Sequence, residues 1–285
     1  MAADVSPSSS PEPAGKPRSE LATRVVSAIV LIAVALATAY AGGWTFALFW
    51  LAAGIAMMVE WTSMTRVEPR RPVQAVLGLG LVALTVVFLR DMSLAAGVAV
   101  AVATALLGAL LARGAEARVW AVSGFSYGAV IVLVPPLVRA HPYLGLVGLL
   151  WMFAVVWATD IVAYFTGRRF GGPKLWPRVS PKKTWSGFAG GLVAGTLGGF
   201  LVAWGAQRLG WIQPFSLRNA ILLSMIASVA SQLGDLGESA LKRHCDVKDS
   251  SQLIPGHGGV MDRLDGFWAV ALILGIVLLI VHLAT

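Results

Sequence analysis

Nine apolar runs of roughly 17–21 residues, each long enough to cross a bilayer as a helix, dominate this chain of 285 residues. Their approximate limits are 25–41, 44–59, 73–89, 94–111, 119–138, 144–165, 187–204, 220–241 and 267–283. A segment in hydrocarbon must satisfy its own backbone N–H and C=O groups, and runs of this length do so as helices. Charged residues make up only 13% of the chain, against about 25% in a soluble domain. A disordered chain, a secreted disulfide scaffold and a transmembrane β-barrel are excluded. The expected fold is all-α, a polytopic integral membrane protein of about nine transmembrane helices. The single cysteine, Cys245, lacks both a disulfide partner and the companions of a zinc site.

Charge placement orients the helices. With the N-terminus cytoplasmic, all but four of the 22 Lys and Arg fall on the cytoplasmic side, the exceptions being Arg90, Arg139, Arg208 and Arg218. The formal charge of +8 therefore reflects topology and contact with anionic headgroups or phosphates, with no nucleic-acid partner implied. The expected location is the cell membrane, with the working face toward the cytoplasm. Residues 1–24, rich in Pro and Ser, read as a disordered cytoplasmic tail. Residues 25–142 form an N-terminal block of five spans, and 143–285 a C-terminal catalytic region with two cytoplasmic loops.

Chemistry concentrates in that second block. Seven of the 14 acids, Asp160, Asp235, Glu238, Asp246, Asp249, Asp262 and Asp265, lie in or beside its two loops. Asp235 and Glu238 are three apart on one helix face, with Ser231 and Gln232 a turn back. Bare carboxylates there would each cost several kcal/mol, so they call for a metal, a cation or a proton. At about 1.5 Å per residue Asp235 lies about 22 Å along its span, at the cytoplasmic boundary, and Asp160 reaches a similar depth. Asp262 and Asp265, again three apart, begin the last span. Oxygen ligands from separate segments at one level suit Mg²⁺, which keeps waters and shares substrate phosphates.

Groups that suit a phosphate surround these acids. Ser180-Pro-Lys-Lys-Thr184 offers two ammonium groups and two hydroxyls, and Pro255-Gly-His-Gly-Gly259 lets backbone N–H groups approach an anion. His257 either binds phosphate or caps a loop. Glu60 and Tyr127 read as structural.

The segment Ser239-Ala-Leu-Lys-Arg-His-Cys-Asp-Val-Lys-Asp-Ser-Ser-Gln-Leu-Ile-Pro-Gly-His-Gly-Gly-Val-Met-Asp-Arg-Leu-Asp265 closely resembles the signature of the phosphatidate cytidylyltransferases, or CDP-diacylglycerol synthases. Upstream, Asp160-Ile-Val-Ala-Tyr-Phe-Thr-Gly-Arg and Ser180-Pro-Lys-Lys-Thr-Trp-Ser-Gly187 resemble two further elements of that family, except that Ser186 stands where a Glu is expected. The resemblance covers about residues 155–267. It implies transfer of a cytidylyl group from CTP to phosphatidate, giving CDP-diacylglycerol and pyrophosphate in phospholipid biosynthesis. By resemblance, Asp235 and Asp262 are the Mg²⁺ ligands, with a second cation such as K⁺ left open. Asp235, Asp262, Asp265, Lys242 and Arg263 form the catalytic set. Lys183, Arg243 and Lys248 join Lys242 and Arg263 in holding the triphosphate and lipid phosphate. Ser180, Thr184, His257, Gly258 and Gly259 are neutral donors, and Asp160, Arg168, Lys182, Ser239 and Asp249 complete the substrate site. A homodimer is left open.

Two alternatives stand beside this reading. A CTP-dependent lipid-alcohol kinase would release CDP, not pyrophosphate. An ion-coupled transporter would place polar groups near the midplane of several helices, whereas these acids gather at one boundary.

Overall fold

The computed structural model describes residues 17–213 and 216–284. Among these residues nine helices run in chain order: α1 (Pro17–Ala41), α2 (Gly43–Met64), α3 (Arg70–Leu89), α4 (Leu94–Leu111), α5 (Ala115–Ala140), α6 (Gly145–Phe170), α7 (Trp185–Arg208), α8 (Leu217–His244) and α9 (Met261–Ala284). A two-stranded antiparallel hairpin, β1 (Lys174–Trp176) and β2 (Ser180–Thr184), lies between α6 and α7.

The expected all-α membrane architecture is the one observed. Among the described residues α2 to α9 are each long and apolar enough to cross a membrane, while the apolar part of α1, Val25–Ala41, is shorter. Of the nine expected spans, the first, 25–41, is thus the one not among these eight. Residues 1–16 of the expected tail lie outside the described residues. From Pro17 onward the chain is helical, and the last residues of the expected tail belong to α1. A proline costs nothing at a first helical position, where its missing N–H has no partner to lose.

Helix ends also extend past the apolar runs. α8 continues through Lys242 and Arg243, whose cations sit favourably at a helix C-terminus. α9 starts at Met261, which places Asp262 and Asp265 on its first two turns and shortens the second loop to residues 245–260. The hairpin, not expected from the sequence, is held by register pairs Lys174↔Thr184 and Trp176↔Ser180. Thr184 ends it and caps α7, its Oγ1 accepting from Gly187 N at 3.1 Å.

Two buried clusters organise the bundle. Phe46, Trp50 and Met57 of α2, Ile131 of α5, Leu149 and Met152 of α6, and Phe267 and Val270 of α9 form one. Phe267 stacks on Trp50 at 5.0 Å and on Phe153 at 5.4 Å. The other gathers Met58, Val73, Leu77, Leu81 and Phe125. Since α2 and α5 feed both, the N-terminal helices and the C-terminal ones share one interior. Outward residues such as Leu79, Leu110 and Val193 are apolar and exposed, as a surface against lipid requires.

Small residues bring α7 close to α6 and α8. A Cβ on Gly195 would stand 2.1 Å from Thr159 Oγ1 and 2.7 Å from Ser228 Oγ, so only glycine permits this approach. Across the contact Thr159 and Ser228 share a hydrogen bond of 2.8 Å, and Trp151 Nε1 donates to Ser224 Oγ at 2.9 Å. Gln232 continues the same face of α8, donating to Phe188 O. These polar groups find their partners inside the bundle, and one turn further along α8 stands Asp235.

Candidate active site at one end of the bundle

A cleft of about 600 Å³ opens where α6, the hairpin, α7, α8 and α9 converge. α6 contributes Asp160, Tyr164 and Arg168, β1 Lys174, and β2 Lys182, Lys183 and Thr184. α8 adds Gln232 and Asp235, and α9 adds Asp262, Arg263 and Asp265. Four carboxylates and five fixed cations therefore share one cavity at the helix ends. Asp160, Asp235 and Asp265 are close enough to act on one another electrostatically, and Lys183 on β2 is the cation that acts on both Asp160 and Asp265.

Lys183 also pairs directly with Asp235 Oδ2, tying the hairpin to α8. Ser239, a turn along α8, reaches Asp235 Oδ1 at 3.4 Å. Asp265 Oδ1 accepts from Gly266 N at 2.7 Å, and Arg168 donates to the Tyr164 hydroxyl at 3.0 Å. Arg263 is steadied by its Nε bond to His257 O at 2.9 Å.

Asp262 is engaged differently. Its Oδ1 accepts from Lys242 Nζ at 2.6 Å, and its Oδ2 accepts from Ser250 N at 2.9 Å, Ser250 Oγ at 2.9 Å and Gly259 N at 2.8 Å. Lys242 Nζ lies 2.9 Å from Glu238 Oε1 as well, though only the bond to Asp262 has hydrogen-bond alignment. Lys242 and Glu238 thus sit behind the cleft wall, and Glu238 lines an apolar cavity of about 440 Å³ on the opposite face of α8, beside Tyr127 and Trp268.

The second loop departs from expectation in what its glycines face. The amide of Gly259 points at the protein's own Asp262 carboxylate rather than outward to an incoming anion. A Cβ on Gly259 would meet Ser250 Oγ at 2.0 Å and both Glu60 carboxylate oxygens at 2.7 Å. Gly258 adopts φ +84°, a region that disfavours other residues, and a Cβ there would stand 2.8 Å from Asp262 Oδ2. His257 turns its Nδ1 to Ser27 Oγ of α1 at 2.9 Å.

Of the residues singled out from the sequence, the cleft brings together Asp160, Arg168, Lys182, Lys183, Thr184, Asp235, Asp262, Arg263 and Asp265. Ser180, Ser239, Lys242, Arg243, Lys248, Asp249, His257, Gly258 and Gly259 are not on its wall. Arg243 instead donates to Val247 O just past the end of α8. Ser186 is tied to the hairpin base, bonding to Gly171 O and sharing a 3.0 Å bond with Thr184.

Sequence reasoning passed over two residues. Lys174 carried no signal beyond its loop's basic character. Glu60, taken as structural, is 4% exposed and accepts four hydrogen bonds, all from the second loop and the start of α9. A charged residue directly at the end of an apolar run was its one visible mark.

The model of the cytidylyltransferase family matches residues 22–281. The chain belongs to that family. Among curated relatives, the phosphatidate cytidylyltransferase of Brucella abortus biovar 1 is 41% identical over 260 residues, covering 90% of this chain and 92% of its own. The protein of the same name in Bacillus subtilis is 46% identical over 123 residues, 43% of this chain and 44% of its own. That of Haemophilus influenzae is 48% identical over 128 residues, 45% of this chain and 44% of its own. The family expected from residues 155–267 is therefore the family found, and the match extends over the N-terminal helices as well.

Proposed function

We propose that this membrane enzyme transfers a cytidylyl group from CTP to phosphatidate, releasing pyrophosphate and forming CDP-diacylglycerol. The observation that carries this reading is the cleft itself, where Asp160, Asp235 and Asp265 face Lys182, Lys183, Arg168 and Arg263 at the helix ends. In the reaction an oxygen of the lipid phosphate forms a bond to the α-phosphorus of CTP while the α–β bridging P–O bond breaks. Two anionic reactants must meet, and fixed cations lower the cost of that approach without reorganising. Lys183, balanced by Asp235 in the free protein, is suited to take up triphosphate charge. Arg263, Arg168, Lys182 and Lys174 supply further positive charge around it. No protein nucleophile is required.

The carboxylates suit Mg²⁺. Among the described residues no group of three or more carboxylate, histidine or cysteine side chains is placed to enclose a metal, so an ion here would keep waters and share substrate phosphate, as Mg²⁺ does. Asp235 and Asp262, the pair the resemblance implies, both line the cleft, with Asp265 beside them as a further carboxylate. In the free protein both members of the pair are engaged, Asp235 by Lys183 and Ser239 and Asp262 by Lys242 and the loop donors, so an ion would bind in exchange for some of these partners. When bound, the ion would neutralise charge on the transferring and leaving phosphates. The concentration of Lys and Arg at this end supports a cytoplasmic cleft in a cell membrane, where CTP is soluble and phosphatidate arrives within the bilayer.

The test uses the full chain in mixed micelles with phosphatidate, labelled CTP and Mg²⁺, following pyrophosphate and CDP-lipid together. Equal, EDTA-sensitive release of both is expected. CDP release with a phosphorylated lipid alcohol would replace this reading by a kinase.

A further inference from the structure

Glu60 lies on α2, in the half of the chain where the sequence held no catalytic motif, yet the four hydrogen bonds its carboxylate accepts all come from residues 250–261. Its Oε1 accepts from Ser251 Oγ at 2.7 Å and Val260 N at 2.9 Å. Its Oε2 accepts from Ser250 Oγ at 3.0 Å and Met261 N at 2.8 Å. Val260 and Met261 supply N–H groups at the start of α9, which have no partner within the helix, so Glu60 caps α9 from a different helix. A carboxylate's two oxygens offer about four acceptor sites, which suits three donors of its own and the Ser250 hydroxyl it shares with Asp262. A glutamine would turn an NH₂ toward two of them.

We propose that Glu60 is a positioning residue for the cytidylyl transfer, holding the 250–261 loop and the first turn of α9 so that Arg263 and Asp265 face the cleft. This rests on the activity proposed above. Ser250 joins the two halves of the arrangement, because its hydroxyl lies within hydrogen-bond distance of both Glu60 Oε2 and Asp262 Oδ2. One hydroxyl proton serves one of them at a time, while Ser250 N holds Asp262 independently. Gly259 has no room for a Cβ because Ser250 and Glu60 close around it. The requirement for glycine there thus follows from those two side chains, not from an incoming phosphate. α9 in turn carries Arg263 and Asp265 within its first two turns, just past its held N-terminus.

The test compares wild type, Glu60→Gln and Glu60→Ala as full chains in mixed micelles. Amide hydrogen exchange without substrate is the first readout. Glu60→Ala is expected to speed exchange at least tenfold across residues 250–261 while α6 and α7 keep wild-type rates. The second readout is steady-state kinetics. Glu60→Ala is expected to lower kcat at least tenfold with KM for CTP changed less than threefold, and Glu60→Gln, which keeps one acceptor oxygen, to recover part of both effects. Unchanged exchange at 250–261 in Glu60→Ala would overturn the proposal. So would faster exchange with wild-type kcat, or faster exchange spread over the whole chain with no recovery in Glu60→Gln. A wild-type chain that makes no CDP-lipid would overturn the proposed activity and Glu60's part in it, whereas exchange at 250–261 would still report whether the clamp exists.

Discussion

Lys242 on α8 and Asp262 on α9 meet at 2.6 Å with side chains only 14% and 5% exposed, fastening the end of one helix to the beginning of the next. Removing one member of such a pair leaves a buried charge without its partner, which costs about 3–5 kcal/mol. Asp262→Ala and Lys242→Met should each lower the thermal midpoint of the protein in micelles clearly. The double variant should lose less than the two singles combined. Single variants that melt with wild type would show that the pair does not hold the helices.

Lys183 and Asp235 form a contrasting pair, about a third exposed on the cleft wall. Ion pairs with that access to water contribute about 0–1 kcal/mol to stability. Asp235→Asn should therefore melt close to wild type. Its CDP-lipid formation should fall more than tenfold, equivalent to about 1.4 kcal/mol of barrier or more. Retention of most of the rate would remove Asp235 from the reaction.

Metal dependence can be separated from binding of the nucleotide. Chelation with EDTA should stop turnover, and added Mg²⁺ should restore it. Asp262→Asn should raise the Mg²⁺ concentration needed for half-maximal rate, because one of the two implied oxygen ligands is lost. If Asp262→Asn has a wild-type Mg²⁺ profile and Asp265→Asn does not, the metal belongs with Asp265.

Glycines of α7 offer a stability contrast within one helix. Gly195→Ala forces a methyl group against Thr159 and Ser228 and should destabilise by about 1–3 kcal/mol. Gly205, where an added methyl would meet nothing within 4 Å, should accept alanine with a gain of about 0.5–1 kcal/mol. Thermal melts of the two variants in the same micelle compare them directly.

Much of the site was legible because its residues sit in short, chemically dense segments. Asp160, Lys182, Lys183, Asp235, Arg263 and Asp265 announce themselves as charges at the ends of apolar runs, and the cleft collects all of them. Lys242, Arg243, Lys248, His257 and Gly259 belong to the same signature, yet they lie behind or beside the wall. Motif membership marks a residue as needed without telling which way its side chain turns. Gly259 illustrates the difference: a glycine-rich turn suggests a cradle for an external anion, whereas the anions it accommodates here are Asp262 and Glu60.

That the chain is a bundle of membrane-length helices, where its charged end lies and which family it joins could all be read along the chain. Each of these depends on local quantities, the partition of apolar runs into lipid and the spacing of polar groups within a few turns. The three-dimensional packing was needed to learn that Asp262 is bonded to Lys242 and the loop, that Lys183 reaches Asp235, and that Glu60 caps a helix beginning 201 positions later. Hydropathy reports that a segment crosses the membrane, but which helices become neighbours depends on the packing of small residues and buried rings between them. A buried carboxylate must find donors somewhere. Where it finds them is settled by that packing.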